Sequence, residues 1–145
     1  MSSLSLSFQR YAERALAVSA LSFAITCSAW AGDSKVSLSG KDETPPVTTA
    51  ATGLAEIKIS PDKKVSGAVQ TSGVEGTAAH IHLGAPGEKG PPVVSLEKGI
   101  SGTWRVPEGA TLTDEQYAAY QAGKLYVNVH SGVNKGGEIR GQLKP

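Results

Sequence analysis

Cysteine is all but missing from this chain: one thiol, Cys27, stands among 145 residues, and Met1 is the only methionine. A metal centre in the body of the sequence is therefore limited to imidazole, carboxylate and backbone ligands. A disulfide framework is excluded as well, so the fold must rest on its own apolar core, which a chain of this size can supply. Charge of one sign is also missing. Fourteen basic side chains face thirteen acidic ones, for a formal net charge of +1 with no basic block. That balance disfavours nucleic acid and acidic membrane surfaces as partners. Long apolar runs are absent too. The longest, residues 15–25, falls short of the roughly 18 residues that a spanning helix needs and carries several hydroxyls.

That run has another reading. Arg10 and Arg14 precede it, and Ala29-Trp30-Ala31 follows with a small-x-small cleavage pattern, so residues 1–31 read as a secretory signal peptide. Cys27 follows Thr26, which is larger than the residue usual before a lipidated cysteine. The expectation is a secreted or periplasmic protein with no membrane span after removal of the leader, and one domain over residues 32–145. Cleavage removes Arg10, Glu13 and Arg14 and leaves twelve side chains of each sign.

Within that domain, short alternating runs are punctuated by glycine and proline. Residues 35–40, 54–60, 65–71, 79–84, 93–96, 103–106, 125–130 and 138–143 read as strands. Pro61-Asp62-Lys63 turns the second into the third, and residues 84–92 are too rich in Gly and Pro for regular structure. One segment departs from the pattern. Thr113-Asp114-Glu115-Gln116 fits a capping box, opening a short helix over residues 114–122 that Gly123 ends, with Tyr117 and Tyr120 on its buried side. Many short strands and a single helix predict an all-β sandwich or barrel, with the helix crossing one end.

The chain has three histidines, and all lie in two of these runs, Ala79-His80-Ile81-His82-Leu83-Gly84 and Tyr126-Val127-Asn128-Val129-His130. Side chains alternate along a strand, so His80 and His82 share the face opposite Ala79, Ile81 and Leu83, and lie about 6–7 Å apart at Cα. His130 shares its face with Tyr126 and Asn128. If the aliphatic faces are buried, every imidazole is on the outer side, and three imidazoles meeting there suit Cu or Zn and are a poor set for Ca or Mg. Glu138 and Arg140 share a face of the last strand, so Arg140 can steer an anion to the cluster or orient a carboxylate such as Glu138. Tyr126 and Glu43 are further candidates for the surroundings, and Trp104 reads as core. No serine or cysteine nucleophile, paired-carboxylate or phosphate-cradle pattern is present.

The ordered blocks Glu43-Thr44-Pro45-Pro46-Val47, Ala79-His80-Ile81-His82-Leu83-Gly84, Gly90-Pro91-Pro92-Val93-Val94, Tyr126-Val127-Asn128-Val129-His130 and Gly137-Glu138-Ile139-Arg140-Gly141 resemble the CHRD domain, named from chordin. The family usually has an extra proline before the final Gly-Glu, where this chain has Lys135-Gly136. The resemblance implies a short secreted single-domain protein, and kinship with an extracellular growth-factor antagonist makes an envelope protein or polysaccharide a possible partner. More weakly, His80, His82 and His130 resemble the copper-holding histidines of the Cu,Zn superoxide dismutase barrel. That likeness implies a Greek-key β-sandwich or barrel, superoxide dismutase-like or immunoglobulin-like, and a related copper site, with Arg140 loosely similar to an anion-guiding arginine. The chain departs from it in having no fourth, bridging histidine, no second-metal loop and no disulfide. Three readings follow: a protein that binds Cu or Zn, a copper-dependent dismutase-like oxidoreductase, and a metal-free interaction module using the loop around residues 84–92.

Overall fold

The computed structural model describes residues 32–145. The expected leader, including Cys27, lies outside them. Nine strands follow in chain order: β1 (Gly32–Ser39), β2 (Thr52–Ile59), β3 (Val65–Ser72), β4 (Gly76–Leu83), β5 (Pro92–Ser95), β6 (Glu97–Lys98), β7 (Thr103–Arg105), β8 (Leu125–Ser131) and β9 (Ile139–Gln142). They form one antiparallel sheet in the order β5-β4-β8-β9-β1-β2-β3-β7-β6.

The two ends of that order, β5 and β6, are separated in sequence by Leu96 alone. They act as two halves of one bent strand, the first pairing with β4 and the second with β7. Leu96 N–H donates to Ala79 O at 2.9 Å across the bend. The sheet thereby closes into a barrel and leaves little free edge. Strands β4, β5/β6 and β7 follow one another, and β8 returns to lie on the far side of β4. This is a Greek key, as expected for the class.

The return from β7 to β8 is carried by helix α1 (Asp114–Gln121). Thr113 Oγ1 accepts from Gln116 N–H, and Gln116 Oε1 accepts from Thr113 N–H, so both halves of the capping box form. Gly123 follows with φ +69° and Tyr120 is buried, both as the sequence predicts. No helix among the described residues is long and apolar enough to cross a membrane.

The strand periodicity sends Leu38, Ala55, Ile57, Ile59, Val65, Val69, Ala79, Ile81, Val127, Val129 and Ile139 into the barrel, where all are buried. Each large aliphatic side chain so placed contributes roughly 1.5–3 kcal/mol of transfer free energy. Trp104 packs within this core, beside Gly76. Observed strand limits differ from the sequence reading by a few residues. The two-residue β6 was not expected, because its Glu97-Lys98 pair has no apolar alternation to mark it.

Candidate metal centre

Strands β4 and β8 lie side by side in a register that pairs Ala78 with His130, His80 with Asn128 and His82 with Tyr126. With Ile81 and Val127 turned inward, all five polar and aromatic side chains from His80 to His130 share the outer face. The three imidazoles meet there. Ring centroids are 5.3 Å apart for His80 and His82, 5.0 Å for His80 and His130, and 5.9 Å for His82 and His130. One ligand nitrogen from each lies within 4.8 Å of the others. Two nitrogens each about 2.0–2.1 Å from one ion sit roughly 3–3.5 Å apart. His80 Nδ1 and His130 Nε2 lie 3.0 Å apart, within that range; without an ion His80 Nδ1–H donates to His130 Nε2, and a bound metal would take the place of that proton.

Hydrogen bonds decide which ring nitrogens are open. His82 Nδ1 lies 2.8 Å from Gly90 O and His130 Nδ1 lies 2.9 Å from Lys135 O. A carbonyl can only accept, so both Nδ1 atoms carry the proton, and each neutral ring keeps its lone pair on Nε2. Metal-ligating histidines commonly donate their other N–H to just such a partner. His82 Nε2 is buried without a hydrogen-bond partner, and so is Asn128 Oδ1. Both are acceptors when His82 is neutral, so neither can satisfy the other. Burial holds His82 below the ordinary imidazole value; the Gly90 carbonyl pulls the other way, the His130 charge adds to the lowering, and the Asn128 amide favours the cation. Burial also lowers His80, with His130 and then His82 adding to it.

The outer face here is largely covered, contrary to the simple reading of its alternation, with His80 and His130 half-buried at its open side. Loops cover it: Tyr126 and Asn128 are buried and His82 is 8 % exposed. Tyr126 stacks on His82 at 4.9 Å between centroids and 6° between planes. The Arg140 guanidinium lies over Tyr126, 3.5 Å from the ring centroid. Arg140 is 2 % exposed. Its Nη1 donates to Glu88 O and Thr44 Oγ1, and its Nη2 to Ala85 O and Gln142 Oε1. In this arrangement all four terminal N–H donors are engaged within the protein.

Glu43 is buried, and its Oε1 accepts from Asn128 Nδ2 at 3.4 Å. Burial pushes its carboxyl up, against the Thr44 amide, the Asn128 amide and the Arg140 and His130 charges, in that order of strength. Gly137 makes room for it: at φ +131° a Cβ there would lie 2.2 Å from Glu43 Oε1. Glu138 is turned elsewhere and accepts from Thr49 Oγ1 at 2.8 Å. Hydrogen bonding from Ser131, and more weakly from Thr49 and Asn134, holds its carboxyl below the usual range. The structure thus gathers His80, His82, His130, Tyr126, Arg140 and Glu43 around one face and leaves Glu138 aside. The sequence reading missed Asn128, Gln142 and the carbonyls of Gly90 and Lys135. Asn128 and Gln142 carried a sequence signal, the first sharing a strand face with Tyr126 and His130 and the second with Glu138 and Arg140; the carbonyls carried none.

Barrel and histidines together define a small closed antiparallel β-domain with an imidazole cluster outside its core. The chain belongs to the CHRD-domain family, whose model matches residues 34–143. No curated protein and no solved structure matches it.

Proposed function

We infer that this CHRD domain binds a transition metal, Cu or Zn, through His80, His82 and His130. One observation carries the reading: three imidazoles converge from two strands, and two of them have the nitrogen remote from the cluster pinned to a backbone carbonyl. An ion there would be held by neutral nitrogen donors, a set that suits Cu and Zn. Calorimetric titration of the metal-free protein with Cu(II) and Zn(II), beside the His80→Ala/His82→Ala double variant, tests it. Binding near one equivalent that the variant loses supports the reading, and equal binding by both overturns it. A dismutase-like oxidoreductase would need a free anion guide, and the engagement of Arg140 makes the binding reading the stronger one.

The domain acts outside the cytoplasm in this account, with residues 1–31 removed on export. The basis is the sequence pattern at Arg10, Arg14 and residues 15–31. Mass spectrometry of the protein from the envelope fraction checks it, with an intact Met1 terminus as the contrary result.

A metal-free interaction module is the second reading. A groove of about 680 Å³ runs beside the 84–92 loop, walled by Pro86 and Gly87; its lining carries Lys41, Lys144, Arg140 and Lys35, the last paired with Glu56, against the carboxylates of Asp42 and Glu43. It suits an acidic envelope polysaccharide or protein segment. Retention of the metal-free protein on an acidic polysaccharide, lost in a Lys41→Glu/Lys144→Glu variant, would favour this reading.

A further inference from the structure

We propose that Arg140 is a positioning residue for the metal centre: by gripping loop 84–91 it holds the Gly90 carbonyl on His82 Nδ1, which leaves His82 Nε2 unprotonated and facing the cluster. This deepens the metal-binding reading and rests on it for its purpose, though the device itself can be read without any metal.

The links are short and continuous. Residues 85–88 form a turn closed by Glu88 N–H donating to Ala85 O at 2.9 Å. The Arg140 fork spans that turn, Nη2 on Ala85 O at 2.9 Å and Nη1 on Glu88 O at 2.7 Å. Two donors fixed in one plane set both the position and the tilt of the turn, which a lysine's point charge cannot do. Gln142 ties the loop's near end, donating from Nε2 to Gly84 O at 2.8 Å while its Oε1 accepts a hydrogen bond from Arg140 Nη2. At the far end Gly90 packs on the chain with no space for a side chain, since a Cβ there would lie 1.5 Å from Leu83 O. Gly90 N–H reaches Tyr126 Oη at 3.4 Å, and Gly90 O meets His82 at 2.8 Å. Tyr126 fills the space between, with His82 on one face and Arg140 on the other.

The guanidinium and the imidazole thus grip the same loop and the same aromatic ring. If the turn drifts and draws Gly90 with it, against the anchor that Leu83 N–H makes to Pro91 O at 3.0 Å, Gly90 O leaves His82, and nothing else holds the proton on Nδ1. Asn128, whose side chain acts on His82 and whose Oδ1 is unpaired, would then favour the Nε2–H form, and the ligand nitrogen would be lost until the tautomer reversed. His130 is a control within the molecule, because its Nδ1–H rests on Lys135 O in the separate loop between β8 and β9.

Long-range proton–nitrogen NMR of the ¹⁵N-labelled metal-free protein reads each tautomer directly. The wild type is expected to show His82 protonated at Nδ1 alone. Arg140→Lys keeps the charge and loses the fork, and is expected to give a mixture at His82 with His130 unchanged. Copper(II) affinity, measured by competition with a chelator, should fall about tenfold or more. Gln142→Ala, at a partly exposed site, is expected to shift His82 the same way by less, and it decides the matter if Arg140→Lys does not fold. A wild-type His82 protonated at Nε2, or a His82 tautomer unmoved by the variants that fold, overturns the proposal. A tautomer that moves as expected in a protein that binds no copper keeps the clamp and rejects the metal reading.

Discussion

Strands β2 and β8 are built on the same alternation, and each sends one set of side chains into the barrel. Their outer faces differ. On β2 the outward Glu56 and Lys58 are exposed, and Glu56 pairs with Lys35 across to β1 at 2.6 Å while both side chains stay more than half exposed. On β8 the outward Tyr126 and Asn128 are as buried as the inward Val127 and Val129. Loops make the difference, and they change what a polar group costs. An exposed ion pair contributes about 0–1 kcal/mol because water serves either partner nearly as well. Under the loops water cannot serve them, so Arg140 directs its terminal donors to Thr44, Ala85, Glu88 and Gln142 and Asn128 donates to Glu43, while His82 Nε2 and Asn128 Oδ1 are left without a partner.

Substitutions sharpen this contrast. The largest stability effect is expected at Gly90→Ala. Its Cβ would fall 1.5 Å from Leu83 O, so the loop must move, at about 2–4 kcal/mol by denaturant unfolding. A loss under about 0.5 kcal/mol would mean the loop is not fixed. An intermediate effect is expected from acid. His80 and His82 have folded-state values lowered below 6.5, chiefly by burial, so on acidification the unfolded chain takes up protons before the fold does. The metal-free protein should therefore hold its stability above about pH 6.5 and lose it as pH falls from there through the lowered values. His80→Ala/His82→Ala should flatten that part of the curve, and an unchanged slope would contradict the burial argument. The exposed side differs here too. Lys64 and Ser60 hold Asp62 down to about 2, so what that carboxylate contributes is present above its ordinary 3.8 and is lost only as pH falls toward 2. The smallest effect is expected at Glu56→Ala, within about 0.5 kcal/mol. A loss above about 1.5 kcal/mol would show that the outer face of β2 is not the free surface it resembles.

The same contrast explains what the sequence made legible. Period-two alternation identified most of the strands and the inward residues, because burial of one face is a local property of each strand. The capping box at Thr113 and Gln116 and the turn at Gly123 were legible for the same reason, since each is complete within a few residues. Convergence of His80, His82 and His130 followed from parity and from the scarcity of histidine. What could not be read was the roof. The partners of Arg140 are carbonyls of Ala85 and Glu88, and a carbonyl has no sequence signature. Parity placed Arg140 and Glu138 on one face, but which neighbour each would meet depended on loops that bring Thr49 to one and residues 84–90 to the other.

The central claim is that three rings share one ion, and anomalous diffraction from crystals of the zinc-loaded protein tests it most directly. One strong zinc peak is expected about 2.0–2.1 Å from a nitrogen of His80, of His82 and of His130, with His82 bound through Nε2. Crystals grown with excess zinc that show no peak there, or a peak held by fewer than two of these rings, would contradict it.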